Sequence, residues 1–247
     1  MRFGFNDVWW PTLHEKLDWL VEMGCDCARF GVAMPMETWA TDSIMGLMDD
    51  RDLRPYFVLG GWNPAPPTEV YASWVGQYVE RYGTKATYCL WNEPNYHSDS
   101  HPDPLPVEKA VALNQAGRQA ARAVNPDVRV IYSPVGPHGN WEEDYFKPLY
   151  RELPRGDVAL HCYPGGAFED RLGRVEAAYE LAAEYGRVHV TEIDMAAAHL
   201  GETDKPKLAA KGYKLLDDLG AVAAMFNSIQ GHQAEAKELK RARLGRG

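Results

Sequence analysis

Eight short runs rich in β-branched or aromatic residues, separated by segments with helical spacing, restrict this chain more than any other feature. The runs cover 2 to 6, 25 to 31, 55 to 60, 86 to 92, 128 to 133, 157 to 163, 187 to 192 and 221 to 227. Their starts recur at intervals of roughly 25 to 40 residues, close to the length of a βαβ unit, about 30. Alternation of this kind predicts parallel strands joined by crossover helices. Eight repeats close more naturally into a barrel than into an open sheet, and 247 residues match the typical size of one such barrel, about 250. The expected fold is therefore α/β, a single (β/α)8 TIM barrel occupying 1–247 as one domain.

The intervening segments carry helix signals. Over 68 to 82, Val70, Trp74, Val75, Tyr78 and Val79 recur at helical spacing behind Thr68, a candidate N-cap. The helix predicted over 106 to 124 meets Asn125-Pro126, which stops it. Predicted helices 171 to 185 and 204 to 219 close at Gly186 and Gly220, both read as left-handed caps. No stretch reads as a linker or a low-complexity tract, so function falls to the loops after the strands.

A formal charge of -9 without a long basic stripe argues against nucleic acid, whose phosphates need clustered cations. The basic end, Lys237, Lys240, Arg241, Arg243 and Arg246, reads as a solvated last helix. No long apolar stretch suggests a membrane partner, and no signal peptide is visible, so a cytoplasmic protein, or one released by another route, is expected. Cys25, Cys27, Cys89 and Cys162 fall in predicted strands and read as buried free thiols. They lack the turn spacing and His partners of a metal site, so neither metal nor cofactor is expected, and the chain is read as a monomer.

Active sites of such barrels lie at the C-terminal strand ends. Those ends offer Asn6, Trp9 and Trp10; Arg29; Trp62 and Asn63; Asn92 and Glu93; Pro137, His138 and Trp141; His161 and Tyr163; Glu192 and Asp194; Phe226 and Asn227. Polar donors beside flat apolar faces suit a sugar ring. Glu93 and Glu192 close predicted strands 4 and 7, across the barrel mouth. Glycosidic hydrolysis needs two carboxyls, one to protonate the leaving oxygen and one to attack or to activate water.

Trp91-Asn92-Glu93-Pro94-Asn95 and Val190-Thr191-Glu192 resemble the motifs of retaining glycoside hydrolases on β/α barrels, whose acid/base follows an Asn after strand 4 and whose nucleophile ends strand 7. The first string is most similar to the branch holding β-xylosidases, iduronidases and exopolysaccharide endoglycosidases. The resemblance implies Glu93 as acid/base, Glu192 as nucleophile, Asn92 as donor to the sugar 2-hydroxyl, Arg29 as the arginine steadying the nucleophile and Tyr163 as its hydrogen-bonding tyrosine. It implies a carbohydrate substrate, a β-linked oligo- or polysaccharide. Arg29 would keep Glu192 ionised, while a drier pocket beside Trp91 would suit a protonated Glu93. His161 shares a strand face with Tyr163, and Trp62, His138 and Trp141 are further candidates for gripping sugar. The chain departs from the family pattern at strand 8, where Phe226-Asn227 stands in place of Trp, and after strand 3, where Gly60-Gly61-Trp62 stands in place of His.

Plainer readings exist for each residue: Glu93 capping a helix, Arg29 pairing with Asp7 or Asp194, His161 as a satisfied buried histidine. A carbohydrate-binding barrel without catalysis is the alternative function. A metal-dependent hydrolase lacks the His-x-His it would need after strand 1. Retention requires the two carboxyls about 5 to 5.5 Å apart.

Overall fold

All eight runs become strands: β1 (Arg2–Phe5), β2 (Cys27–Val32), β3 (Arg54–Leu59), β4 (Thr87–Leu90), β5 (Arg129–Tyr132), β6 (Gly156–Cys162), β7 (Gly186–Ile193) and β8 (Ala223–Phe226). They pair in sequence order, every pair parallel, and β1 joins β8 to close the barrel. This is a computed structural model, describing residues 1–5, 13–32, 38–61, 64–96, 104–137, 139–163, 168–193, 204–226 and 240–241.

The described helices between strands are α1 (Leu13–Glu22), α2 (Thr38–Asp49), α3 (Thr68–Tyr82), α4 (Val107–Val124), α5 (Lys147–Arg151), α6 (Phe168–Ala183) and α7 (Asp204–Asp218). Helix α4 stops at Asn125, whose side chain accepts from the Asp127 amide at 3.0 Å in a tight Asx turn. Gly220 is the expected left-handed cap, at φ 85. Two expectations need correction. Thr68 is the first residue of α3 rather than its cap: Pro67 holds that position without a side-chain hydrogen bond, since its fixed φ already suits helix entry. Gly186 is no cap either. It is the first residue of β7, and a Cβ there would sit 1.7 Å from the Gly156 carbonyl, so close strand approach demands the glycine.

Alternation sorts strand side chains into two cores. Outward residues such as Phe57, Tyr88, Leu90, Val158 and Val190 pack under the helices. Inside the barrel, Cys27, Tyr56, Val58, Cys89, Ile131, Ala159, Ala223 and Met225 fill the centre. The strand register stacks these into layers drawn from alternate strands. The four cysteines are buried and free, and burial pushes the thiols of Cys89 and Cys162 up to about 12, so both are inert.

Strand β7 breaks its own alternation. Leu160 pairs with Val190, but the next residue, His161, pairs with Glu192, leaving Thr191 as a one-residue bulge. Val188, Val190 and Ile193 face the outer core, and His189 points inward against Tyr56. Strict alternation would have turned Thr191 inward and Glu192 outward. The bulge aims Glu192 into the mouth.

Candidate active site

Six side chains carried by four strands and the turns directly after them meet at the C-terminal mouth. Arg29, on β2, is 3% exposed, and Glu192, on β7, is 8% exposed. Arg29 Nη1 donates to Glu192 Oε1, and Nη2 donates to Asn92 Oδ1 at 2.6 Å. The hydroxyl of Tyr163, just beyond β6, donates to the other Glu192 oxygen, Oε2. Glu192 is thus held from both sides. Burial alone would push its carboxyl up. The charges beside it at His161 and Arg29, with the hydrogen bonds from Tyr163 and Arg29, outweigh burial and hold it down at about 2. The same contact, with burial as the larger cause, raises the Tyr163 phenol, which stays protonated and donating.

His161, fully buried on β6, links the two glutamates. Its Nδ1 is 2.6 Å from Glu93 Oε1, and its Nε2 lies 3.4 Å from Arg29 Nη2 and 3.5 Å from Glu192 Oε1. Nδ1–H is placed to donate to Glu93, and an unprotonated Nε2 would offer its lone pair to Arg29, which can only donate. A second proton on Nε2 would face Glu192. One oxygen of each glutamate and one ring nitrogen of His161 all lie within 4.8 Å of one another. These three could ligate a cation, but the Arg29 guanidinium already sets a fixed positive charge against Glu192, which disfavours a second one.

The backbone carrying Asn92 and Glu93 is strained. Trp91 and Glu93 adopt positive φ, 27 and 37. What holds them is the turn after β3. Gly60 and Gly61 sit at φ 87 and 115, and the Trp91 and Asn92 amides donate to the Leu59 and Gly60 carbonyls at 3.2 and 3.1 Å. A Cβ on Gly60 would stand 2.9 Å from the Trp91 ring, and one on Gly61 2.7 Å from both backbone N and O of Asn92. Only glycines let the two loops lie this close. Trp91 packs edge-on against buried Tyr71, whose hydroxyl donates to the Leu59 carbonyl at 3.0 Å. On the far side Asn95 exchanges two 2.7 Å hydrogen bonds with the Gly136 backbone, tying this loop to the one after β5.

The structure thus brings Arg29, Asn92, Glu93, His161, Tyr163 and Glu192 together. Trp141 does not join them: it packs edge-on against Phe146, ring centroids 5.4 Å apart, as part of the outer core. An aromatic residue opening a helical turn finds more apolar area against the barrel wall than in the mouth. Phe226 closes β8, while Trp62, His138 and Asn227 lie outside the described residues, as do Asp7 and Asp194. Sequence reading missed the Gly60-Gly61 turn as a support, although a Gly-Gly pair directly after a strand is a visible sign of close backbone approach. It also passed over Tyr96 and gave no weight to Trp39. These are the two large exposed aromatics among the described residues, at 41% and 61%, and both follow strand ends on this face.

No protein-family model matches the chain, and no curated protein matches it by sequence. Solved structures do match in shape. A glucosidase from Croceicoccus marinus superposes with a TM-score of 0.76 at 12% identity, covering 98% of this chain and 66% of that one. A mutant form of Cel5A from Thermotoga maritima, in complex with cellobiose, gives 0.73 at 13% identity, covering 96% of each chain. A GH39 β-xylosidase from Caulobacter crescentus gives 0.61 at 15% identity, covering 92% of this chain and 61% of that one. The chain spans just under two thirds of the glucosidase and less of the xylosidase. What the chain shares with all three is the closed (β/α)8 barrel.

Proposed function

We propose that this chain, acting as one (β/α)8 domain, is a retaining glycoside hydrolase for a β-linked oligo- or polysaccharide, with Glu192 as nucleophile and Glu93 as general acid/base. The observation carrying this reading is the approach of the two carboxylates, oxygens within 4.8 Å. Retaining enzymes set their carboxyls about 5 to 5.5 Å apart, whereas inverting ones leave about 6.5 to 9.5 Å for a water.

In the first step Glu192, kept ionised by Arg29 and Tyr163, attacks the anomeric carbon. Glu93 gives its proton to the departing glycosidic oxygen, and a glycosyl-enzyme ester forms. In the second step Glu93, now a carboxylate, takes a proton from water as the water oxygen attacks the same carbon and releases Glu192. His161 is a positioning residue, its hydrogen bond fixing the Glu93 carboxyl. Asn92 is oriented through its carbonyl by Arg29, which leaves its NH2 to donate to the sugar 2-hydroxyl. Trp39 and Tyr96 supply flat faces for further sugar rings, with Trp62, His138, Phe226 and Asn227 as the remaining candidates for gripping the substrate.

The neighbouring structures, a glucosidase, a cellobiose complex and a β-xylosidase, suggest β-glucosides and β-xylosides as first substrates. Aryl β-glycosides and polysaccharides should be hydrolysed with the β-anomer appearing first by NMR. An α-anomer appearing first would mean inversion. Sugar binding across the panel with no hydrolysis would leave the binding-only barrel as the better account.

A further inference from the structure

The opposite mouth of the barrel gathers positive charge. Its lowest interior layer takes one residue from each odd strand: Arg2, Arg54, Arg129 and Arg187. One carboxylate stands among them, Asp157 from β6, 6% exposed and already committed. It accepts from Arg187 Nε at 2.7 Å and Nη2 at 3.1 Å, and lies 3.8 Å from Arg129 and 3.4 Å from His189. Burial, with the like charges of Arg2 and Arg129, holds the Arg54 guanidinium below its ordinary range.

Beside this layer opens a cleft of about 580 Å³, lined by Arg118, Arg122, Arg129, Arg155 and Arg187. Asp127 and Asp157 are the acidic groups lining it, so five arginines exceed two aspartates by three charges, in a chain of net charge -9. Arg118 is braced, donating to the Tyr132 hydroxyl at 2.6 Å and lying over its ring. Arg122 and Arg155 are exposed and have no ion-pair partner among the described residues.

The lining holds no lysine and no aromatic ring. Guanidinium forks match tetrahedral oxyanions bidentately, where an ammonium offers a point charge. Without a flat apolar face, neither a sugar ring nor a base has anything to stack on. The volume suits a small molecule.

We propose that this cleft binds a compact multivalent oxyanion of the phosphate class, recognised through its clustered phosphoryl oxygens. The site lies at the end of the barrel away from the glutamates and does not depend on the hydrolase reading.

Calorimetric titration of the intact chain with inorganic tripolyphosphate and, separately, with ATP tests it and separates an inorganic source from an organic one. Both should bind within about threefold of each other, and more weakly as salt rises. Arg122→Gln and Arg155→Gln should each weaken binding about tenfold, a loss of roughly 1.4 kcal/mol. Tripolyphosphate should also raise the Tm of the wild type and not that of the double variant, whose fold is checked by circular dichroism. Glu192→Gln should leave binding unchanged. The proposal is overturned if neither compound binds, or if the double variant binds as the wild type does. ATP binding far more tightly than tripolyphosphate would overturn recognition by phosphoryl oxygens alone.

Discussion

The two mouths of this barrel use arginine in opposite ways. At the C-terminal mouth one guanidinium, Arg29, serves two acceptors, Glu192 and Asn92, with His161 and Tyr163 completing a network in which each charged group meets a partner. At the N-terminal mouth one layer gathers four arginines, of which Arg129 and Arg187 pair with the buried carboxylate of Asp157. Between the ends lie small or neutral residues, Cys27, Cys89, Ala159 and Ala223, that keep the two charge systems apart. Matched charge sets the ionisation of a carboxylate for chemistry; unmatched charge awaits a counterion from solution. If this contrast is right, disturbing the upper network alters turnover and disturbing the lower one alters anion response.

The largest effect is expected from Glu192→Ala, which removes the proposed nucleophile. Turnover of aryl β-glycosides should fall on the order of 10⁴-fold, and added azide should restore activity by yielding the glycosyl azide. Full activity in this variant would break the assignment. Glu93→Gln should cost about 10² to 10⁴-fold on substrates with poor leaving groups. Aryl glycosides whose phenol departs without protonation should lose far less in the first step. Equal losses on both substrate types would remove Glu93 from the acid's role.

The support beneath these residues yields the next prediction. Gly61→Ala brings a Cβ 2.7 Å from the Asn92 backbone at φ 115 and should destabilise the fold by about 3 kcal/mol in urea titration. Gly139→Ala is the control, since Gly139 also has positive φ, 62, but nothing stands within 4 Å of its Cβ position. It should lose only about 1 kcal/mol. Similar losses in both would mean that φ, and not the approach of the two loops, governs Gly61.

How far the sequence foretold this molecule depends on the range of the interaction. The strands and helices were legible because alternation and helical spacing are local, and α3 falls on 68 to 82 as its spacing predicts. Arg29, Glu93 and Tyr163 were legible because strand ends on a barrel face one mouth. The bulge at Thr191 was not. It arises from pairing between β6 and β7, and nothing in Val190-Thr191-Glu192 announces an extra residue. Gly186 was misread for a similar reason: a glycine between helix and strand signals a cap locally, while its contact with Gly156 is a long-range fact. The arginine layer escaped notice because Arg2, Arg54, Arg129 and Arg187 lie far apart in sequence, and a search for basic stripes sees only neighbours.

The smallest effects probe charge directly at the two ends. Glu192 has its carboxyl held at about 2 against an ordinary 4.5, so it is ionised through the acid range. Its contribution to stability is present above about 4.5 and is lost as pH falls from there towards 2. The acid limb that Glu192 imposes on kcat/KM should therefore lie well below pH 4.5, and Arg29→Gln, which removes a lowering influence, should move it upward by about one pH unit. An unmoved limb would detach Arg29 from the ionisation of Glu192. At the other end, Asp157 is held below its ordinary range: burial pushes it up, but His189 and Arg187 outweigh this. Asp157→Asn removes the negative charge that pairs with Arg187 and Arg129 and one of its accepting oxygens, and should cost about 1 to 3 kcal/mol by urea titration. Here the two ends should differ in a further way. Because the lower layer lacks negative charge, phosphate in the buffer should recover part of that loss. No such rescue is expected for Glu192→Gln, whose vacated partner, Arg29, is buried among side chains already bonded to it. Equal response of the two variants to phosphate would erase the distinction between a matched and an unmatched mouth.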